Sequence, residues 1–192
     1  MEWMIKCVSK PGMAERREQT IAAHIEHLDK FKAETWYSGP MMVGDGSNAN
    51  GSFRVINFPA RADARAYIDT DPYTTADIFH SIDIERLLPF TDVRQRDYDQ
   101  TEGNAQFVAI ARTDPRPVAA GPEVGAFLSD AAEHIVVAGA LSDDAGETAS
   151  GALYVLDVPD RPTVTALLRD EPFSAGADGR SLTIERWRFG HV

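Results

Sequence analysis

With one cysteine in 192 residues, Cys7, the chain can form no intrachain disulfide and no cysteine-rich metal site. Long apolar runs are also missing: none approaches the ~20 residues of a membrane span. The start, Met1-Glu2-Trp3-Met4-Ile5-Lys6, lacks the charged-then-apolar pattern of a secretory leader. Positive charge is in short supply. Nineteen Lys and Arg stand against 30 Asp and Glu, a net charge of −11. That argues against a nucleic-acid partner, which requires a basic surface, and against anionic membranes. It says little about a small substrate, because one local basic pocket reverses the field. HExxH and nucleophile-elbow patterns are absent. Gly44-Asp45-Gly46 and the glycines at 176 and 179 do not form a phosphate loop. These absences leave a cytoplasmic protein with a small-molecule partner as the expectation.

What the chain does have is a repeat. Residues 38–90 recur at 138–190 with a constant offset of 100. Ser38-Gly39-Pro40-Met41 matches Ala138-Gly139-Ala140-Leu141, and Gly51-Ser52-Phe53 matches Gly151-Ala152-Leu153. Asp71-Pro72-Tyr73 matches Glu171-Pro172-Phe173, and Ile84-Glu85-Arg86 matches Ile184-Glu185-Arg186. An ungapped repeat of this kind sets the architecture.

In the first copy, Trp3–Val8 reads as a strand, broken by Lys10-Pro11-Gly12. Ile21, Ile25, Leu28 and Phe31 recur at helical spacing, which predicts a helix from Met13 to about Thr35. Strands follow at 36–43 and from Phe53 to Phe58, then a helix over 61–70 and a strand over 78–88. Gly51 is expected to serve the intervening turn. The second copy predicts a strand near 106–112, a helix near 120–135, strands at 136–141 and 152–158, a helix at 161–169 and a strand at 181–189. Each copy is thus β-α-β-β-α-β, a ferredoxin-like unit. The expected domains are 1–90 and 105–192, with the polar stretch 91–104 as linker. The fold class is α+β, two such units packed sheet-to-sheet as an internal pseudo-dimer, so that each sheet covers the other. The chain would then be a monomeric pseudo-dimer, or a homodimer if its units pair with another chain.

Ala23-His24-Ile25-Glu26-His27-Leu28, Ser38-Gly39-Pro40, Gly51-Ser52 and Asp71-Pro72-Tyr73, in this order, resemble the YciI (YCII-related) family over residues 3–90 and more weakly over 105–190. The resemblance implies small dimeric α+β barrel proteins similar to muconolactone isomerase, with a His–Asp pair in a cleft. Carried over, that pair falls on His24 and Asp71. Members with a known reaction resemble isomerases or dehydrohalogenases acting on small cyclic or unsaturated acids and hydroxyquinones.

His24 shares the apolar stripe of the first helix, pointing toward the sheet, and its near-neutral pKa suits proton transfer. Asp71 would orient its ring, although Asp71-Pro72 is also what a helix N-cap looks like. Tyr73 could donate to a substrate carbonyl or pack in the core. Ser38, with the backbone amides near Gly39, could meet an anionic oxygen. In the second copy His24, Ser38 and Tyr73 become Val124, Ala138 and Phe173, so the site is expected in the first. His27 is expected at a solvated helix edge. His24 and His27, three apart, lack a patterned third ligand, so no metal is expected, and no cofactor. These residues together suggest a cofactor-independent lyase or isomerase. The alternative is a non-catalytic ligand-binding or accessory module.

Overall fold

The computed structural model describes residues 1–118, 121–173 and 180–192. Their contacts divide the chain into two compact units that are not contiguous in sequence. The first holds residues 1–85, 94–96 and 187–192, and the second 86–93 and 97–186.

The first unit runs β1 (Glu2–Ser9), α1 (Ala14–Asp29), β2 (Thr35–Met42), β3 (Ala49–Asn57), α2 (Arg61–Asp69), α3 (Pro72–Thr75) and β4 (Phe79–Pro89), the last passing into the second unit at residue 86. Its strand order is β4-β1-β3-β2. Antiparallel pairing of β1 with β3 runs from Glu2 opposite Asn57 to Val8 opposite Gly51. Trp3, Ile5 and Cys7, alternate residues of β1, pack with Leu28 of α1, Tyr67 and Ile68 of α2, and Tyr73 of α3. The period-2 pleat thus aims one row of side chains at the helices. Helix α1 stops at Asp29, short of the expected Thr35. There the chain turns, and the Phe31 carbonyl accepts hydrogen bonds from both the amide and the hydroxyl of Thr35. Phe31 keeps its helical spacing but packs from the turn.

The second unit repeats the order with β5 (Ala105–Pro117), α4 (Pro122–Asp130), β6 (Ile135–Ser142), β7 (Thr148–Val158), α5 (Arg161–Leu167) and β8 (Ser181–Trp187). Its strand order, β8-β5-β7-β6, is that of the first unit. Arg86–Pro89 add antiparallel to Ser142–Gly139 of β6. Both units are therefore ferredoxin-like, and the molecule is α+β as the repeat implied. Helix α4 ends at Asp130 instead of near 135, since Gly125, Ser129 and Asp130 are weak helix formers. Its expected start at Ala120, and Gly176 and Gly179, lie outside the described residues.

Gly51 belongs to β3, not to a turn. A Cβ there would collide with the carbonyl of Cys7, as one at Gly151 would with that of Ala111. The turns themselves depend on Gly46 and Gly146, each at φ +78°. Residues 91–104 also make specific contacts. Gln95 and Arg96 bond within the first unit, and Tyr98, Thr101 and Asn104 all bond to Asp157 in the second. Among the described residues no helix is long and apolar enough to cross a membrane.

Candidate functional site

The inward face of α1 carries Arg17, His24, His27 and Leu28, all buried, spaced so that they share one side of the helix. Ile21 is 47% exposed, because this part of the helix borders an open cleft instead of the packed core. The cleft encloses about 350 Å³ within the first unit. Ile21, Ile25, Leu28 and Pro40 make its walls apolar, and His24, Arg17 and Arg54 line its polar part.

His24 is held at both ring nitrogens. Nδ1 lies 2.8 Å from Asp71 Oδ1, and Nε2 lies 3.2 Å from Arg54 Nη2. An arginine can only donate and a carboxylate only accept, so one neutral tautomer fits: Nδ1 carries the proton and Nε2 presents its lone pair. Burial pushes the His24 pKa down. The bond to Asp71 opposes that shift, and the charge of Arg54 adds to it, leaving the net direction downward.

Asp71 serves two purposes at once. Oδ1 accepts both the His24 proton and the Tyr73 amide, the latter as the N-cap of α3 ahead of Pro72. Oδ2 faces Arg54 Nη2 at 3.0 Å, an ion pair between wholly buried groups. Burial alone would raise the carboxyl's pKa, but the His24 bond and the Arg54 charge outweigh it and bring it down to about 2.

Tyr73 stacks on the His24 ring, centroids 3.9 Å apart and planes 15° off parallel. The Arg17 guanidinium lies 4.5 Å from the same tyrosine ring. Arg17 donates to the Ser9 hydroxyl and the Gly51 carbonyl, both neutral acceptors. Ser38 and Gly39 line the cleft too, but the Ser38 amide is taken by Gln95 Oε1 at 2.9 Å. Only its hydroxyl therefore remains for a ligand. Gly39 is hemmed in by Arg188 and Gly190 of the 187–192 segment.

His27, expected in solvent, is buried between Phe31 and Tyr67. It lies three residues beyond His24, nearly one helical turn, against Tyr67 of α2. A metal shared by His24 and His27 is opposed by Arg54, whose guanidinium occupies the free edge of His24.

Sequence reasoning missed Arg17, Arg54, Gln95 and the 187–192 segment. The signal for Arg54 was present: it sits within the apolar run Phe53–Phe58, and its counterpart is Tyr154. In the second unit the Tyr154 hydroxyl donates to Glu171 Oε2, which also accepts the Phe173 amide. The capping carboxylate has persisted there, but a neutral partner replaces the cation. Val124, on α4, occupies the position of His24 and is buried.

Residues 1–88 match the family model of the YCII-related domain. No curated protein matches the sequence. Among solved structures, the 5-chloro-2-hydroxyhydroquinone dehydrochlorinase of Burkholderia phenoliruptrix, in complex with 2,5-dihydroxybenzoquinone, is 24% identical; the match covers 51% of this chain and 100% of that one, with a TM-score of 0.43. A mutant chlorite dismutase of Candidatus Nitrospira defluvii is 8% identical over 97% of this chain and 91% of its own, with a TM-score of 0.61. An anthrone oxidase-like protein is 13% identical over 99% and 91%, with a TM-score of 0.52. The last two are similar to this chain in fold across both repeats.

Proposed function

We propose that this chain, whose residues 1–88 match the YCII-related domain, is an isomerase- or lyase-type enzyme that moves a proton next to a carbonyl of a small cyclic substrate. The observation that carries this is a neutral histidine of fixed tautomer in the polar part of a cleft whose walls are apolar. An apolar cavity of about 150 Å³ holds a benzene ring, so about 350 Å³ gives room for a substituted single ring.

His24 Nε2 takes the proton from the carbon beside the carbonyl, leaving an enolate. Asp71 holds the ring through Nδ1 and stabilises the imidazolium that forms. Returning the proton to a different carbon completes an isomerisation. If instead a substituent leaves with its bonding electrons, the result is an elimination and a lyase. The Ser38 hydroxyl and Tyr73 line the space where the substrate would sit. The lowered pKa keeps His24 in its basic form at neutral pH.

The test is wash-in of deuterium from solvent, followed by NMR, across a panel of small cyclic keto acids and hydroxyquinones. Val124 shows that this fold accepts an apolar residue at the equivalent position. His24→Ala should therefore fold and lose about 10²-fold or more in rate. Full exchange in His24→Ala would end the proposal. One observation favours the ligand-binding alternative: Arg54 covers the lone pair that the base needs. Under that alternative, no panel member exchanges faster with protein than without it.

A further inference from the structure

Arg54 is 1% exposed and contributes to the cleft lining, yet two of its three nitrogens, Nε and Nη1, have no hydrogen-bond partner among the described residues. Buried donors left unmade are costly, and a guanidinium has five to satisfy. The charges do not balance either. Arg17 and Arg54 are both buried, His24 is neutral, and among the described residues Asp71, on Arg54, is the one carboxylate in an ion pair with either arginine. Arg17 spends its bonds on a hydroxyl and a carbonyl. The floor of the cleft thus carries an excess positive charge and unspent donors, which is the chemistry of an anion site.

The contact with His24 adds a second property. With Nη2 donating to Nε2, the base cannot accept a proton until the arginine moves. Once His24 is protonated, it and Arg54 would repel. A base and a cation so placed can work only if Arg54 transfers its hydrogen bonds to something negative as the proton arrives.

We propose that Arg54 is a catalytic residue that binds an anionic oxygen of the substrate and, by turning to it, uncovers His24 Nε2. The substrate class is accordingly a flat apolar ring bearing an ionised oxygen, either as the ground-state anion or as the enolate formed on it. This rests on His24 being the base. The second unit is consistent with it: where Val124 replaces the base, Tyr154 replaces the cation, so the two have been lost together. No bond forms or breaks at Arg54 itself. The proton passes from substrate carbon to Nε2, and the guanidinium supplies charge and two hydrogen bonds.

The test uses the full chain with two probes of equal shape, benzoate and neutral benzamide. Affinities come from calorimetry, and the state of Nε2 from its nitrogen-15 shift in histidine-labelled protein. Benzoate should bind about 10- to 100-fold tighter than benzamide, the range of a charge-assisted hydrogen bond. Its binding should move Nε2 downfield, toward an unbonded imine nitrogen. Arg54→Tyr with Asp71→Glu installs the second unit's own pair, which that fold already accommodates, and should erase the preference. If that exchange fails to fold, Arg54→Lys should weaken benzoate about tenfold by losing the planar fork. Equal affinities, no measurable benzoate binding, an unmoved Nε2, a preference that survives the Tyr and Glu exchange, or benzoate affinity undiminished in Arg54→Lys would overturn the proposal. His24→Ala separates the two ideas. It leaves Arg54 in place, so the benzoate preference should persist while turnover is lost. Persistence with full turnover would overturn the base, not the anion site.

Discussion

His24 and Asp71 share one proton in a buried contact, and that makes the site sensitive to acid in a way whose sign can be worked out. The folded His24 lies below its ordinary value of 6.5, so as pH falls the unfolded chain takes up this proton first. Its contribution to stability is whole above about 6.5 and declines below it. The Asp71 carboxyl, at about 2 against an ordinary 3.8, adds stability that is complete above that ordinary value and lost as pH falls toward about 2. Both groups therefore make acid destabilising, in successive windows. His27, likewise lowered by burial, acts in the same window as His24. Calorimetric Tm should fall between pH 7 and pH 5, and His24→Val should reduce that slope without abolishing it, since His27 remains. An unchanged slope in His24→Val would mean that the buried imidazole is not titrating as described.

The elements explain how such a site is held and which parts of it a sequence discloses. Strand β2 must pass close to the 187–192 segment: the Arg188 amide donates to Pro40 and the Gly190 amide to Ser38. Gly39 permits this. A Cβ there would strike the Arg188 carbonyl and come within 2.8 Å of Trp187 Nε1. Gly39→Ala should cost about 1–3 kcal/mol, the range for overpacking, seen as a lower urea midpoint with unchanged slope. A midpoint equal to wild type would show that the segment can shift aside freely. The β-α-β-β-α-β order was legible, because strand alternation and helical spacing are local. His24 and Asp71 were legible as candidates because the motifs that hold them resemble the YCII-related domain, and Val124 at the matching position marked the first copy as the one with the base. The role of Arg54 was not legible: a charge within an apolar strand stands out, but it gains its meaning from Asp71 and His24, distant in sequence. His27 was misplaced for a related reason: its burial depends on Tyr67 of α2, which the spacing of α1 alone does not reveal.

At the scale of the whole molecule, the first unit is assembled from three separated stretches of chain, and the cleft needs all of them. Residues 1–88 supply the base, its carboxylate and both arginines, but Gln95 satisfies the Ser38 amide and residues 187–192 supply Arg188, Gly190 and His191 to the lining. The net charge of −11 does not forbid an anion here, because exposed charges are screened beyond about 8 Å at physiological salt while buried arginines are not. What holds the outlying segment in place is Trp187, 1% exposed, with its ring set edge-on to Phe53 at 5.8 Å and to Phe189 at 4.9 Å. Removing the indole empties a socket in β3, the strand that carries Arg54. Trp187→Ala should cost about 3–5 kcal/mol, as for other large core residues. It should also weaken benzoate binding, although Trp187 itself is not among the lining residues. If stability drops while benzoate affinity is unchanged, the 187–192 segment serves the core alone, and the site is complete within residues 1–96.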